Sequence, residues 1–432
     1  MNSELQNCIQ NGVSRRSFLR TLGAASAAAA ALPAMAYGQT QQAGGRRGGG
    51  GMSDMGERTP LPPDTVIISS NENPLGPAAS ALTALCATAP LGGRYHQEET
   101  SKTISVINDT FGLPKGYAAL FPGSGGPLDL ALMSNIGPDK PLVMADPSYE
   151  QGTRAAAAMK APLFPVKLTP TYAHDVKAML AAHPSPGAYY IVNPNNPTGT
   201  MTPKADIAWL VDNQPKGSVV IVDEAYHHFS NDESCIDLVA AGKSIIVLRT
   251  FSKIYGMAGL RAGILFGKPD YQAKFTNVAI PARSLASISI TSAAAARASL
   301  LDKALIPERR KINADNREET LAFLTKKGYK IIAGSQANFF MVDTGVSQVP
   351  PPGQFGGGPF QKAMLAEKVS IGRTWTSMPT YVRVTVGTKE EMAKFNAAFV
   401  KCMDTGTMSS TASLHMPEYH LPSELYRGEM FA

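Results

Sequence analysis

A lysine at position 253 offers a starting point for chemistry. It stands in Thr250-Phe251-Ser252-Lys253, just past an apolar, β-rich run at Ser244–Leu248, with Arg261 eight residues further on. An amine placed there can form an imine with an aldehyde cofactor. The hydroxyls of Thr250 and Ser252 and the Arg261 guanidinium can hold a phosphate, the arginine as a bidentate fork. Two further segments follow apolar runs in the same way. Asn193-Pro194-Asn195-Asn196-Pro197-Thr198-Gly199 follows Ala188–Val192, and Asp223-Glu224-Ala225-Tyr226 follows Ser218–Val222. Upstream, Gly123-Ser124-Gly125-Gly126-Pro127 opens the helical stretch Leu128–Met133. A glycine-rich turn at a helix start presents free N–H groups and the positive end of the helix dipole to an anion.

Together these residue types meet the needs of pyridoxal phosphate. Its aldehyde requires a lysine, Lys253. Its ring nitrogen requires a carboxylate, Asp223, to stay protonated and act as an electron sink. Its phenolate oxygen requires donors, Asn196 and Tyr226. Its phosphate requires the turn at Ser124, Gly125 and Gly126 with Thr250, Ser252 and Arg261. Its ring face requires an aromatic, for which Tyr149 follows the apolar run Leu142–Ala145. No metal site is expected. Each segment alone has a bland reading: Ser-Lys as a polar loop, Asn-Pro-Asn-Asn-Pro as a loop breaker, Asp223 as a cap, Tyr149 as core. Four of them in the expected order argue against coincidence, since ligands of open α/β sheets bind beyond the carboxyl ends of the strands.

The elements that must position these residues alternate. Leu142–Ala145, Ala188–Val192, Ser218–Val222, Ser244–Leu248 and Ala262–Phe266 read as strands, with helical stretches at Tyr149–Met159 and from Thr202-Pro203 to about Asn213. That alternation predicts an α/β fold, a mainly parallel sheet with helices on both faces. Residues 64–300 form the expected large domain. Residues 301–404 form a smaller α+β domain with strands at Tyr329–Ile332, Ala337–Val342 and Tyr381–Val386, and a capping box of Thr388 with Glu391. Residues 405–432 are an irregular tail.

Composition narrows the class. The 432 residues are 44% apolar and 17% charged, with a net charge of +6. The basic residues are scattered without aromatic interleaving, so nucleic-acid binding is not expected. Residues 1–36 carry Ser14-Arg15-Arg16-Ser17-Phe18-Leu19-Arg20, an Ala-rich weakly apolar run and a small-x-small site at Ala34-Met35-Ala36. This pattern predicts a twin-arginine export signal, hence the export machinery as a partner and a periplasmic location. Residues 37–63 are Gly/Pro-rich and predict a flexible linker. No later stretch is long and apolar enough for a stable membrane anchor. Cys86, Cys235 and Cys402, well separated, do not make a disulfide framework.

Over Val66 to Met403 the chain resembles the fold-type I pyridoxal-phosphate aminotransferases of class I/II, and most of all their histidinol-phosphate aminotransferase branch. The resemblance rests on Asn-Pro-Asn-Asn-Pro-Thr-Gly, Val-Asp-Glu-Ala-Tyr, Arg-Thr-Phe-Ser-Lys followed by Gly-Leu-Arg-Ala-Gly, and Val-Arg-Val-Thr-Val-Gly-Thr. It implies Lys253 as the Schiff-base lysine, Asp223 as the pyridinium partner, and Arg383 as the substrate-anion arginine. Asn73 and Arg373 are further expected substrate contacts. It also implies that Tyr95 reaches the cofactor phosphate of a neighbouring subunit, hence a homodimer with shared active sites. Three features depart from the family pattern: Gly126-Pro127 in the phosphate turn, Leu75 after Asn-Glu-Asn-Pro, and Gly372-Arg373-Thr374-Trp375 ahead of Arg383. The expected reaction is transamination between an amino donor and a 2-oxo acid. A lyase or decarboxylase with the same cofactor, and an exported cofactor-binding protein without turnover, are the alternatives. The export signal argues against histidinol phosphate as the donor and for an amino acid or an amine-bearing metabolite.

Overall fold

Residues 61–275, 287–349 and 358–404 are described in a computed structural model of the chain. The expected export signal, all but the last three residues of the linker, most of the Val349–Pro359 loop and the tail lie outside them.

Three strands, β5 (Ala188–Val192), β6 (Val219–Asp223) and β7 (Ile245–Thr250), form the middle of the structure, and every residue in them is buried. Runs this apolar suit strands covered on both faces. Alternation divides them between two cores. Tyr189, Ile191, Val220, Val222, Ile245 and Val247 face one, and Tyr190, Val192, Val219, Ile221, Ile246 and Leu248 face the other. β1 (Val66–Ile68) lies outside this sheet. β2 (Ala118–Phe121), β3 (Leu142–Asp146), β4 (Leu163–Lys167) and β8 (Gly263–Phe266) complete it in the order β2-β8-β7-β6-β5-β3-β4. β3 to β7 pair in parallel, as expected of alternating strands and helices. β8 is the exception and pairs antiparallel with both β7 and β2. A parallel return requires a crossover, usually a helix, and residues 251–262 contain none.

The C-terminal elements make two small sheets. β11 (Tyr381–Thr385) pairs antiparallel with β9 (Phe339–Asp343), and β10 (Val369–Ile371) pairs in parallel with β1. The apolar run at residues 66–68 thus belongs with strands some 300 residues later, a pairing that no local pattern encodes. Tyr329–Ile332, expected as a strand, contributes only an isolated bridge from Ile331 to Val342. The capping box forms as read: the Thr388 N–H donates to Glu391 at 2.8 Å and the Glu391 N–H to the Thr388 hydroxyl at 3.2 Å. The Thr202 hydroxyl does not cap the helix Lys204–Asn213; it accepts from the His174 N–H at 2.9 Å.

Candidate active site

The segments after β3, β5, β6 and β7 gather at the carboxyl ends of their strands, and the chain Ser69–Asn73 lies across them. The Lys253 ammonium donates to the Ser70 carbonyl at 3.2 Å and sits 5.4 Å from the Tyr226 ring centre. Burial and the neighbouring Arg383 charge lower its pKa from the ordinary lysine value to about 8. The loop carrying it is braced from behind. Asn73 Nδ2 and Arg309 Nη1 both donate to the Ile254 carbonyl at 2.9 Å. Gly256 has φ +67°, and a Cβ there would stand 2.0 Å from the Gly76 carbonyl oxygen, so only glycine lets the two segments close.

Asp223, the last residue of β6, is buried. Burial raises its carboxyl to about 6, although the Ala225 N–H at 3.1 Å and the Tyr190 hydroxyl at 3.3 Å both donate to it. The next residue, Glu224, forms a buried pair with Arg249 of β7, with Oε2 2.8 Å from Nη2 and 2.9 Å from Nε. This pair ties the end of β6 to the end of β7 and so fixes the spacing between Asp223 and Lys253. Burial alone would raise the Glu224 carboxyl; Arg249 and His227 outweigh it and hold the group below its ordinary value.

Arg383, from β11, reaches into the same space. Its Nη1 donates to Asn196 Oδ1 at 2.8 Å and its Nη2 to the Ser69 carbonyl at 2.9 Å. Its Nε is buried and has no partner. It lies against Gly372, where a Cβ would stand 3.2 Å from it. Tyr226 accepts from Asn71 Nδ2 at 3.0 Å. Asn71 in turn is held through its own N–H and side-chain oxygen by the Thr385 hydroxyl, at 2.9 and 3.1 Å.

At the other end of the site the helix Gly125–Met133 begins, with Ser124 as its N-cap and no side-chain cap bond. The first N–H groups of a helix lack partners within it. Arg261 lies against this turn: a Cβ on Gly123, at φ +85°, would stand 2.3 Å from Arg261 Nη2. Arg261 Nη1 donates to the Ser252 hydroxyl at 3.3 Å, and Thr250 donates to the same hydroxyl at 2.9 Å. Arg261 thus links the turn that opens at Gly123, with Ser124, Gly125 and Gly126 at the helix start, to Ser252 and through it to Thr250. Tyr149 is half-buried between the two ends, and burial and the Asp223 charge raise its pKa.

Three predicted residues stand differently. Asn73 is engaged on both side-chain atoms, with Ile254 and with the Leu75 N–H, so it braces the lysine loop; Asn71 is the residue that reaches Tyr226. Tyr95 is 92% exposed and takes no part in its own chain's site. Arg373 is paired with the Glu150 carboxylate and lies 4.8 Å from the Trp375 ring centre. Sequence reading passed over Tyr190, Glu150 and Asn71. Tyr190 looked like any strand aromatic; only its position one strand over from Asp223 reveals its hydroxyl.

The family model for aminotransferase class I and II matches residues 95–399. A histidinol-phosphate aminotransferase of Cupriavidus pinatubonensis is 31% identical over 343 residues, 78% of this chain and 88% of that protein. An aromatic amino acid aminotransferase of Cutibacterium acnes is 33% identical over 288 residues, 65% of this chain and 80% of that protein. The crystal structure of a Sinorhizobium meliloti histidinol-phosphate aminotransferase in complex with pyridoxal-5'-phosphate superposes with a TM-score of 0.70, covering 78% of this chain and 90% of that one. At 23% identity it supports the fold alone.

Proposed function

The chain belongs to the aminotransferase class I and II family, and from that premise we propose which of its residues carry the reaction. It is a pyridoxal 5'-phosphate-dependent aminotransferase, moving an amino group from an amino donor to a 2-oxo acid. The bound cofactor supplies an aldehyde for amines and an electron sink for a carbon acid. The residues fit it end to end: the donor cradle for its phosphate, Asp223 for its ring nitrogen, Asn196 and Tyr226 for its phenolate oxygen, Tyr149 for its ring face, and Lys253 for its aldehyde. With the cofactor bound, Lys253 would take the proton from the donor's α-carbon and return it to the carbon of the cofactor's aldehyde, as base and then acid. Arg383 holds the donor's anionic group. The observation that carries this reading is the grouping of the Lys253 amine with the buried Asp223 carboxylate and the Arg383 guanidinium, both close enough for their charges to act on it. A donor panel on purified, cofactor-loaded protein tests it. Accumulation of a 2-oxo acid with aminated cofactor is expected, and ammonia with pyruvate would overturn it.

The Lys253 pKa makes a second check. A depressed pKa means the neutral, nucleophilic form is fully available only above about 8, half available there, and lost as pH falls. Capture of pyridoxal 5'-phosphate by cofactor-free protein, followed by visible absorbance, should rise about tenfold per pH unit below 8 and level off above it. A rate still climbing beyond pH 9.5 would point to an ordinary lysine.

Export and assembly complete the reading. Arg15-Arg16 ahead of the Ala-rich run supports twin-arginine export to the periplasm of a protein already folded around its cofactor. Changing both to lysine should hold the protein in the cytoplasm, and unaltered export would count against it. Tyr95, exposed on its own chain, supports a homodimer in which it reaches the partner's phosphate cradle. A solution mass of one chain would count against that.

A further inference from the structure

We propose that Glu150 makes this enzyme select donors with a single carboxylate over donors whose anion is a phosphate monoester. The inference rests on the site reading above and deepens it. Two guanidinium groups stand where the donor's anion must lie. Arg383 and Arg373 both pack against Trp375, 5.4 and 4.8 Å from the ring centre, and Trp375 is itself fixed by donating from Nε1 to the Ser148 carbonyl at 3.2 Å. Two free arginines would suit a phosphate monoester, which carries a charge of about −1.5 to −2 at neutral pH. Here they are not both free. Glu150, directly after the ring-stacking candidate Tyr149, places its carboxylate on Arg373 Nη2.

The local sum of Arg383, Arg373 and Glu150 is then a single positive charge, matched to one carboxylate. A phosphate monoester in the same place would have to displace Glu150 or leave roughly half to one negative charge uncompensated. The pair is not deeply buried: the Arg373 side chain is 45% exposed and that of Glu150 34%. A pair of this kind contributes little to stability; what it changes is the charge of the site. That effect extends to Arg383. Burial lowers the Arg383 pKa to about 10, Arg373 adds to the lowering and Glu150 works against it. Nothing in the spacing of Tyr149-Glu150 and Arg373 announces this contact, which spans 223 residues.

The test compares a panel of single-carboxylate L-amino acids with histidinol phosphate as donors, using cofactor-loaded full-length protein, wild type and Glu150→Gln. Wild type should favour the best amino acid by at least about tenfold in kcat/KM. Glu150→Gln should shift that ratio toward histidinol phosphate by about tenfold or more, mainly through a lower KM for the phosphate donor. Inorganic phosphate should inhibit the variant at about one-tenth of the wild-type concentration. Arg373→Gln, which leaves Glu150 bare, should shift the ratio the opposite way and gives a reading even if the first variant fails to fold. Ratios that stay within twofold of wild type in both variants, with phosphate inhibition unchanged, overturn the inference while leaving the aminotransferase reading in place. Failure of the loaded wild type to turn over any donor overturns both.

Discussion

Lys253→Ala yields a folded protein that binds pyridoxal 5'-phosphate without the covalent absorbance and turns over at least about 10⁴-fold more slowly. Two functions are lost at once. The amine that would bond to the cofactor's aldehyde is gone, and so is the base that moves the α-proton, a role that alone contributes on the order of 10² to 10⁴. The fold should survive because Lys253 contributes little to packing: its ammonium makes one hydrogen bond, to the Ser70 carbonyl. Its burial also works against the charged form, as the lowered pKa records. Removing it relieves that cost, so the cofactor-free variant should melt no lower than cofactor-free wild type. The loop itself is held by neighbours, through the Ile254 carbonyl and through Phe251, which is bonded to the Ala262 carbonyl at 3.0 Å. Spectroscopy and donor-saturated rates on the same preparation check both halves. Turnover retained within tenfold would remove Lys253 from the mechanism.

What could be read from the sequence, and what could not, follows from the range of the interactions. β5, β6 and β7 are continuous apolar runs, and each leads into a polar segment at the carboxyl end of its strand, where open α/β sheets take their ligands. Those local contrasts pointed to Asn196, Asp223 and Lys253 as candidates and gave the sheet that carries them. The phosphate turn was equally local, glycines followed by a helix. The direction of β8 needed only the observation that residues 251–262 hold no helix, yet its apolar run looks the same in either direction. Pairings across long separations left no trace. Val66–Ile68 against Val369–Ile371, Arg373 on Glu150, and Tyr190 beneath Asp223 each depend on where two distant segments are brought by the rest of the fold. Asn71 and Asn73 show the same limit at close range. Both are in one polar tetrapeptide, but Asn71, at φ +54°, turns its side chain to Tyr226, while Asn73 turns to the lysine loop.

Asp223→Asn should leave the shape of the site intact and lower kcat by about 10³-fold, with the KM for the donor changed by less than about threefold. The carboxylate lies where burial makes charge costly, and in the cofactor-free protein that cost raises its pKa to about 6. A cation beside it reverses the balance, because an opposite charge at short range in a low-dielectric site favours the ionised acid. The protonated ring nitrogen of the cofactor is such a cation, so each group keeps the other charged. An asparagine offers no charge, and the electron sink weakens at the step where the α-proton leaves. Losing one preorganised electrostatic partner of this kind typically costs 10² to 10³ or somewhat more. The loss is expected on kcat because the proposed anion contact is Arg383 and not Asp223. Tyr190→Phe separates the charge from its setting. It removes the 3.3 Å hydrogen bond but keeps the carboxylate, and should lower kcat by no more than about tenfold while moving the Asp223 titration upward. A change in KM alone for Asp223→Asn, with kcat preserved, would place Asp223 in donor binding and take the electron-sink role from it.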